Sequence, residues 1–140
     1  MGTVTLSELL LASDGRITRA QWWYGALMLN GGMVFAAWLE RVCFSATPVL
    51  HVLLPILFIL LAWPAYCVHS KRFQDRDKPR GYAAAIVVLQ MAGVILLVSG
   101  HKPFDQLGLL LLAGLALWTV VELGVLKGTD GANRFGHVPA

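Results

Sequence analysis

The chain has 140 residues, of which 57% are hydrophobic and only 14% charged, and its net charge is +3. That balance excludes an ordinary soluble domain, in which about a quarter of residues are charged. The small positive surplus does not argue for nucleic acid, because the basic residues sit between long apolar runs rather than in one patch.

Residues 1–19 read as an interfacial segment. Thr5-Leu6-Ser7-Glu8 has the spacing of a capping box, with Thr5 as cap and Glu8 reaching back. Leu6, Leu9 and Leu10 follow at helical spacing, so a short amphipathic helix along one leaflet is expected. The run Leu9-Leu10-Leu11-Ala12 is too short for a cleavable signal core and is followed by Asp14, Arg16 and Arg19. The first long apolar run is therefore expected to stay as an uncleaved anchor. Asp14-Gly15 turns the chain, and Thr18-Arg19-Ala20-Gln21 repeats the capping logic.

Four apolar runs follow, at about 21–40, 48–68, 82–100 and 104–126. Each approaches the ~20 residues needed to cross ~30 Å of hydrocarbon. The fold class expected is an all-α membrane protein, a single domain of four transmembrane helices preceded by the short interfacial helix. Open sheets are ruled out in lipid, where an unpaired backbone group costs several kcal/mol. Trp22, Trp23 and Tyr24 match one aromatic belt and Trp38 the other. Gly25, Gly32 and Ala36 share a helical face in the first run, as do Ala85, Ala92 and Ser99 in the third. Small residues so placed suit close helix packing, within the chain or between copies. In the second run Pro48 suits a helix start, while Pro55 and Pro64 are expected to bend the helix. His101-Lys102-Pro103 reads as a tight turn. Residues 127–140 are rich in turn formers and are expected to be an extended tail unless Asn133, Arg134 and Phe135 dock.

Charge distribution orients the runs. Arg16, Arg19, Lys71, Arg72, Arg76, Lys78, Arg80, Lys127 and Arg134 lie on alternate connections, and only Arg41 and Lys102 lie on the others. The positive-inside bias places both termini and the middle loop in the cytoplasm of a multi-pass protein. Cys43 and Cys67 then fall a membrane thickness apart, too far for a disulfide. Cys67 reads as a small apolar packer.

Three blocks on the cytoplasmic connections carry a resemblance. They are Asp14-Gly15-Arg16-Ile17-Thr18-Arg19-Ala20-Gln21-Trp22-Trp23, Lys71-Arg72-Phe73-Gln74-Asp75-Arg76-Asp77-Lys78-Pro79-Arg80-Gly81-Tyr82, and Gly128-Thr129-Asp130-Gly131-Ala132-Asn133-Arg134-Phe135-Gly136. In order, they resemble the DUF805 family of small bacterial inner-membrane proteins, a domain of unknown function. The resemblance covers the whole chain and implies a topology and a bacterial inner-membrane address, with no activity attached. Gln74 stands where that family usually has His, Pro79-Arg80 replace a Lys/Arg-Ser step, and Tyr82 replaces Trp.

The candidate residues gather at the cytoplasmic face: Asp14, Arg16, Arg19, Arg72, Asp75, Arg76, Asn133 and Arg134. One reading is a structural cap, with Asp14 and Asp75 paired to arginines and Asn133 tying the tail to the middle loop. The other is a surface for anionic lipid headgroups or an acidic partner, since juxtamembrane cations gain ~1 kcal/mol each near an anionic leaflet. Inside the runs, Asn30 and Glu122 are the polar candidates. Glu122 lies about one turn from the cytoplasmic end and can pair with a nearby cation or serve a proton or substrate path. His51 and His101 lack ligand spacing, and no metal, cofactor or nucleophile motif is present. Asp14 to Arg19 superficially match the start of a headgroup-transferase motif, but the downstream aspartates that would hold its cations are missing.

The function expected is therefore non-enzymatic: an accessory subunit docking a membrane protein complex, or self-associating, or holding anionic lipid. The alternative is a small transporter or channel with Glu122 and the Pro55-bent helix lining the path.

Overall fold

The computed structural model describes residues 5–43, 49–99 and 101–137. They form an all-helical chain in the order α1 (Leu6–Leu11), α2 (Arg19–Cys43), α3 (Val49–Asp75), α4 (Gly81–Val98) and α5 (Phe104–Thr119). A π-helical segment, Val120–Val125, extends α5. Pro48 and the side chains of Ala36, Cys43, His51 and Pro55 lie outside the described residues. The α3 helix runs through the positions of both Pro55 and Pro64.

Local chemistry starts the first two helices. Thr5 accepts from the Glu8 backbone N–H, and the Glu8 carboxylate accepts from the Thr5 N–H at 2.9 Å. Thr18 and Gln21 exchange the same reciprocal bonds at 2.8 and 3.2 Å, opening α2. Each box satisfies donors that a helix start leaves free.

Successive long helices pack in chain order, and α1 lies against α3. The circle closes where α2 meets the π segment; among the described residues α2 makes no such contact with α5 itself. The fully buried apolar residues explain why. Ile17, Trp22, Val68, Phe73, Ala83, Ile86 and Leu123 come from the start of α2, the end of α3, the start of α4 and the π segment. The core thus sits at the end of the bundle that carries most of the charge.

The α4 and α5 helices approach within backbone contact. A Cβ on Gly108 would stand 2.6 Å from both the Gly93 carbonyl oxygen and the Leu97 nitrogen, so only glycine lets these backbones touch. This corrects the expected Ala85, Ala92 and Ser99 face, of which Ala85 and Ser99 are exposed. One residue turns a helix by about 100°, so the neighbour of Ala92 faces α5 instead. On α2, Gly25 packs against Val68, but Gly32 has nothing within 4 Å.

The helix Phe104–Val125 is long and apolar enough to cross a membrane, and Gly81–Leu97 is a shorter apolar helix. Among the described residues, length and hydropathy therefore single out one of the four expected spans. The α4 helix stops at Val98, and the expected first span is diluted by Gln21, Asn30, its glycines and Glu40. Exposed large apolar side chains nevertheless stud every long helix, among them Leu27, Val34, Leu60, Ile95, Leu110 and Leu117.

Candidate functional site

Helices end with carbonyls that have no partner of their own, and three of them end close together at the charged end of the bundle. Most of the polar side chains buried there answer that need. The π segment widens the last turn, as the i+5 bond from the Leu126 N–H to the Val121 carbonyl shows. Its carbonyls then turn towards α2 and α3. Arg72 donates to the Leu123 carbonyl at 2.8 Å and to that of Leu126 at 2.6 Å. Arg76 donates to the Glu122 carbonyl at 2.7 Å, Arg19 to that of Val125 at 3.2 Å, and the Trp23 indole to that of Gly124 at 3.2 Å.

The end of α3 is capped by the tail. Asn133 donates from Nδ2 to the Gln74 carbonyl at 2.9 Å, and the Thr129 N–H and hydroxyl both reach the Asp75 carbonyl. Asn133 and Gly136 exchange backbone bonds at 3.0 Å, closing a small loop. The tail is thus compact and docked, not extended, because its turn residues deliver donors to a helix end that has none. Lys71 caps α1 through the Glu8 and Leu9 carbonyls, and burial pushes its ammonium pKa down.

At the centre is Asp75. Its carboxylate takes Arg16 at 3.0 Å on one oxygen and Arg72 on the other, and all three side chains are no more than 5% exposed. The rest of the Arg16 fork is used by the tail: the Gly131 carbonyl at 2.8 Å, Thr129 at 2.9 Å and Gly136 at 3.1 Å. Two guanidiniums on one carboxylate leave a positive surplus. The C-terminal ends of α3 and the π segment, each equivalent to roughly half a negative charge, offset it. Burial lowers the Arg72 pKa and the Asp75 charge opposes that shift. There is no slack around the carboxylate: a Cβ on Gly128 would collide with Asp75.

Around this centre lies a second tier. Glu122 is buried and bound by Arg76 at 2.5 Å and by Lys78. Asp14 pairs with Arg80 at 3.0 Å and Asp77 with Arg134 at 3.1 Å, both on the surface. The structure therefore brings Arg16, Arg72 and Asp75 into one buried centre, with Arg76 and Asn133 half-buried beside it, Glu122 buried next to Arg76, and Arg19 exposed at the margin. Asp14 and Arg134 stand outside it in exposed pairs. Asn30 is remote, donating to the Ala26 carbonyl one turn back at 2.7 Å.

Several residues of the cluster were not among the candidates: Gln74, Thr129, Gly128, Lys71 and Lys78. All five belong to or adjoin the motif blocks, so their position was the available signal. Gln74 is the most instructive. Its amide donates to the Ser13 carbonyl and the Ser70 hydroxyl and accepts from the Gly15 N–H at 3.0 Å. It clamps the turn before α2 onto α3.

Residues 10–137 match the family model described as a protein of unknown function, DUF805. The chain is similar to the uncharacterized protein YiiR of Escherichia coli (strain K12), and to YiiR of Escherichia coli O157:H7. Each is 25% identical over 136 residues, covering 95% of this chain and 89% of the relative. No solved structure matches the chain. With the family model spanning nearly its whole length, from the end of α1 to the docked tail, the chain belongs to the DUF805 family.

Proposed function

We propose that this protein is a non-enzymatic accessory subunit of the bacterial inner membrane, crossing it four times with both termini and the middle loop in the cytoplasm. Its role is to present a rigid cytoplasmic face to another membrane protein complex. The observation that carries this reading is the consumption of Arg16, Arg72 and Arg76 in bonds to helix ends and to Asp75 and Glu122. Polar groups tied up this way hold a shape. At the rim, Arg19 and Lys127 and the surface-paired Arg80 and Arg134 are exposed and suit a partner surface or anionic headgroups.

The four-span topology is supported by the charge asymmetry of the connections and by the apolar exterior of every long helix. Impermeant thiol labelling of intact cells checks it. In a Cys43→Ala background, Lys102→Cys labels from outside and Asp130→Cys does not. The docking role is tested by native mass spectrometry after gentle solubilisation. A stoichiometric protein or anionic lipid adduct is expected, and it is lost on reversing Arg80 and Arg134 to Glu. Recovery of a bare monomer sinks the docking role. The transport reading gains little from Glu122, which Arg76 and Lys78 hold in place. Liposome flux abolished by Glu122→Gln would revive it.

A further inference from the structure

Between the helices, beyond the cluster, lies a cavity of about 300 Å³. Ala26 and Asn30 of α2, Ala65 and His69 of α3, Gln90 of α4 and Ala116 of α5 contribute to its wall. Roughly twice the size of a cavity that holds benzene, it has room for a bicyclic ring or a short run of chain. Its side between α2 and α5 has no helix–helix contact among the described residues, and Asn30 and Ala116 are exposed there.

The floor is unlike the walls. His69 lines it, is 5% exposed, and its Nδ1 has no hydrogen-bond partner. Trp22, four residues before Ala26, has its ring 6.1 Å from that of His69, and its Nε1 is also unpartnered. Thr119, three residues after Ala116, is the third buried group with a free polar atom. Helical periodicity puts Trp22 and Thr119 one turn below the cavity on the same faces as Ala26 and Ala116. These are the only three such atoms among the described residues, and they come from three helices. Buried polar groups are ordinarily paired, so a cluster of exceptions asks for a ligand. The indole N–H is a donor only, and a hydroxyl and an imidazole can also donate, so the complementary group is an acceptor. Among the described residues no carboxylate or ammonium lines the cavity, which disfavours a charged ligand.

We infer that this cavity is a binding site for an uncharged, membrane-soluble molecule with a compact apolar body and a carbonyl oxygen, accepted at the His69 floor. Entry between α2 and α5 from the bilayer rests on the four-span reading; the site itself does not.

The test uses the full chain purified in detergent and a matched pair of probes, 1-tetralone and tetralin, which differ in the carbonyl. Thermal unfolding midpoints are followed against probe concentration. The ketone is expected to bind about three- to tenfold more tightly than the hydrocarbon, the range one net hydrogen bond supplies. Ala116→Phe, at the exposed wall, should abolish stabilisation by both. His69→Phe should lose most of the ketone preference. Thr119→Val removes an unpaired buried hydroxyl, so it should leave the ligand-free protein at least as stable while narrowing the ketone preference. Equal binding of the two probes by the natural chain overturns the inference. So does undiminished stabilisation of Ala116→Phe, which would mark mere partition into detergent. Ketone preference retained by a chain that fails the thiol-labelling topology keeps the site and removes only the membrane route.

Discussion

Acid–arginine pairs of the same chemistry occur twice over at the charged end, and burial separates them. Arg16 and Arg72 hold Asp75 with all three side chains sealed from solvent, whereas Arg80–Asp14 and Arg134–Asp77 lie between side chains roughly half or more exposed. Exposed pairs contribute ~0–1 kcal/mol because solvent already satisfies both partners. Removing one partner of a buried set costs ~3–5 kcal/mol because a charge is stranded. The lesson is that the cluster stabilises by leaving no polar group alone, and the count of ion pairs is a poor guide to its strength.

Four substitutions and a pH change grade that contrast. Asp75→Asn strands two buried guanidiniums and is expected to cost ~3–5 kcal/mol, read as the unfolding midpoint in detergent; a loss no larger than that of a surface pair would erase the distinction. Arg72→Lys keeps the charge but cannot span the Leu123 and Leu126 carbonyls and Asp75 together. A loss of ~2 kcal/mol is expected from those charged hydrogen bonds. Gly128→Ala drives a methyl into Asp75, an overpacking cost of ~1–3 kcal/mol, and limited proteolysis should then cut the tail faster. Asp14→Asn removes only a surface pair and should change stability by no more than ~1 kcal/mol.

The smallest effect concerns α1. Bonds from Thr5 hold the Glu8 pKa below its ordinary 4.5. A depressed folded pKa contributes stability above the unfolded value and loses it as pH falls through the folded one. Acidification below 4.5 should therefore erode stability slightly more in the natural chain than in Glu8→Gln, compared by unfolding midpoints at two pH values.

Much of the helical layout could be read directly. The apolar runs locate the four long helices, although α3 continues past its run to Asp75, since a helix apolar on all sides needs little else to mark it. Thr5 with Glu8 and Thr18 with Gln21 act locally, over three residues, so spacing alone reveals them. The docked tail was less accessible. Turn-forming residues such as Gly128 and Gly131 signal irregular backbone, but not that Arg16, more than a hundred positions earlier, binds it. The π segment had no signal either, because Val120–Val125 continues the same apolar pattern as α5. The cavity floor was invisible for a similar reason: Trp22, His69 and Thr119 are isolated polar groups in three separate segments.

What the residues determine alone is an all-helical chain with its charges gathered on alternate connections and its caps in place. Periodicity and local hydrogen bonding encode those features within a few turns of helix. The tertiary structure decided who meets whom: that Asp75 takes two arginines, that each of three helix ends finds donors from another segment, and that glycines at 93 and 108 touch. Those outcomes depend on the rotation and axial offset of one helix against the next. A displacement of a single residue, 1.5 Å along the axis, is enough to break them, and no local pattern records it.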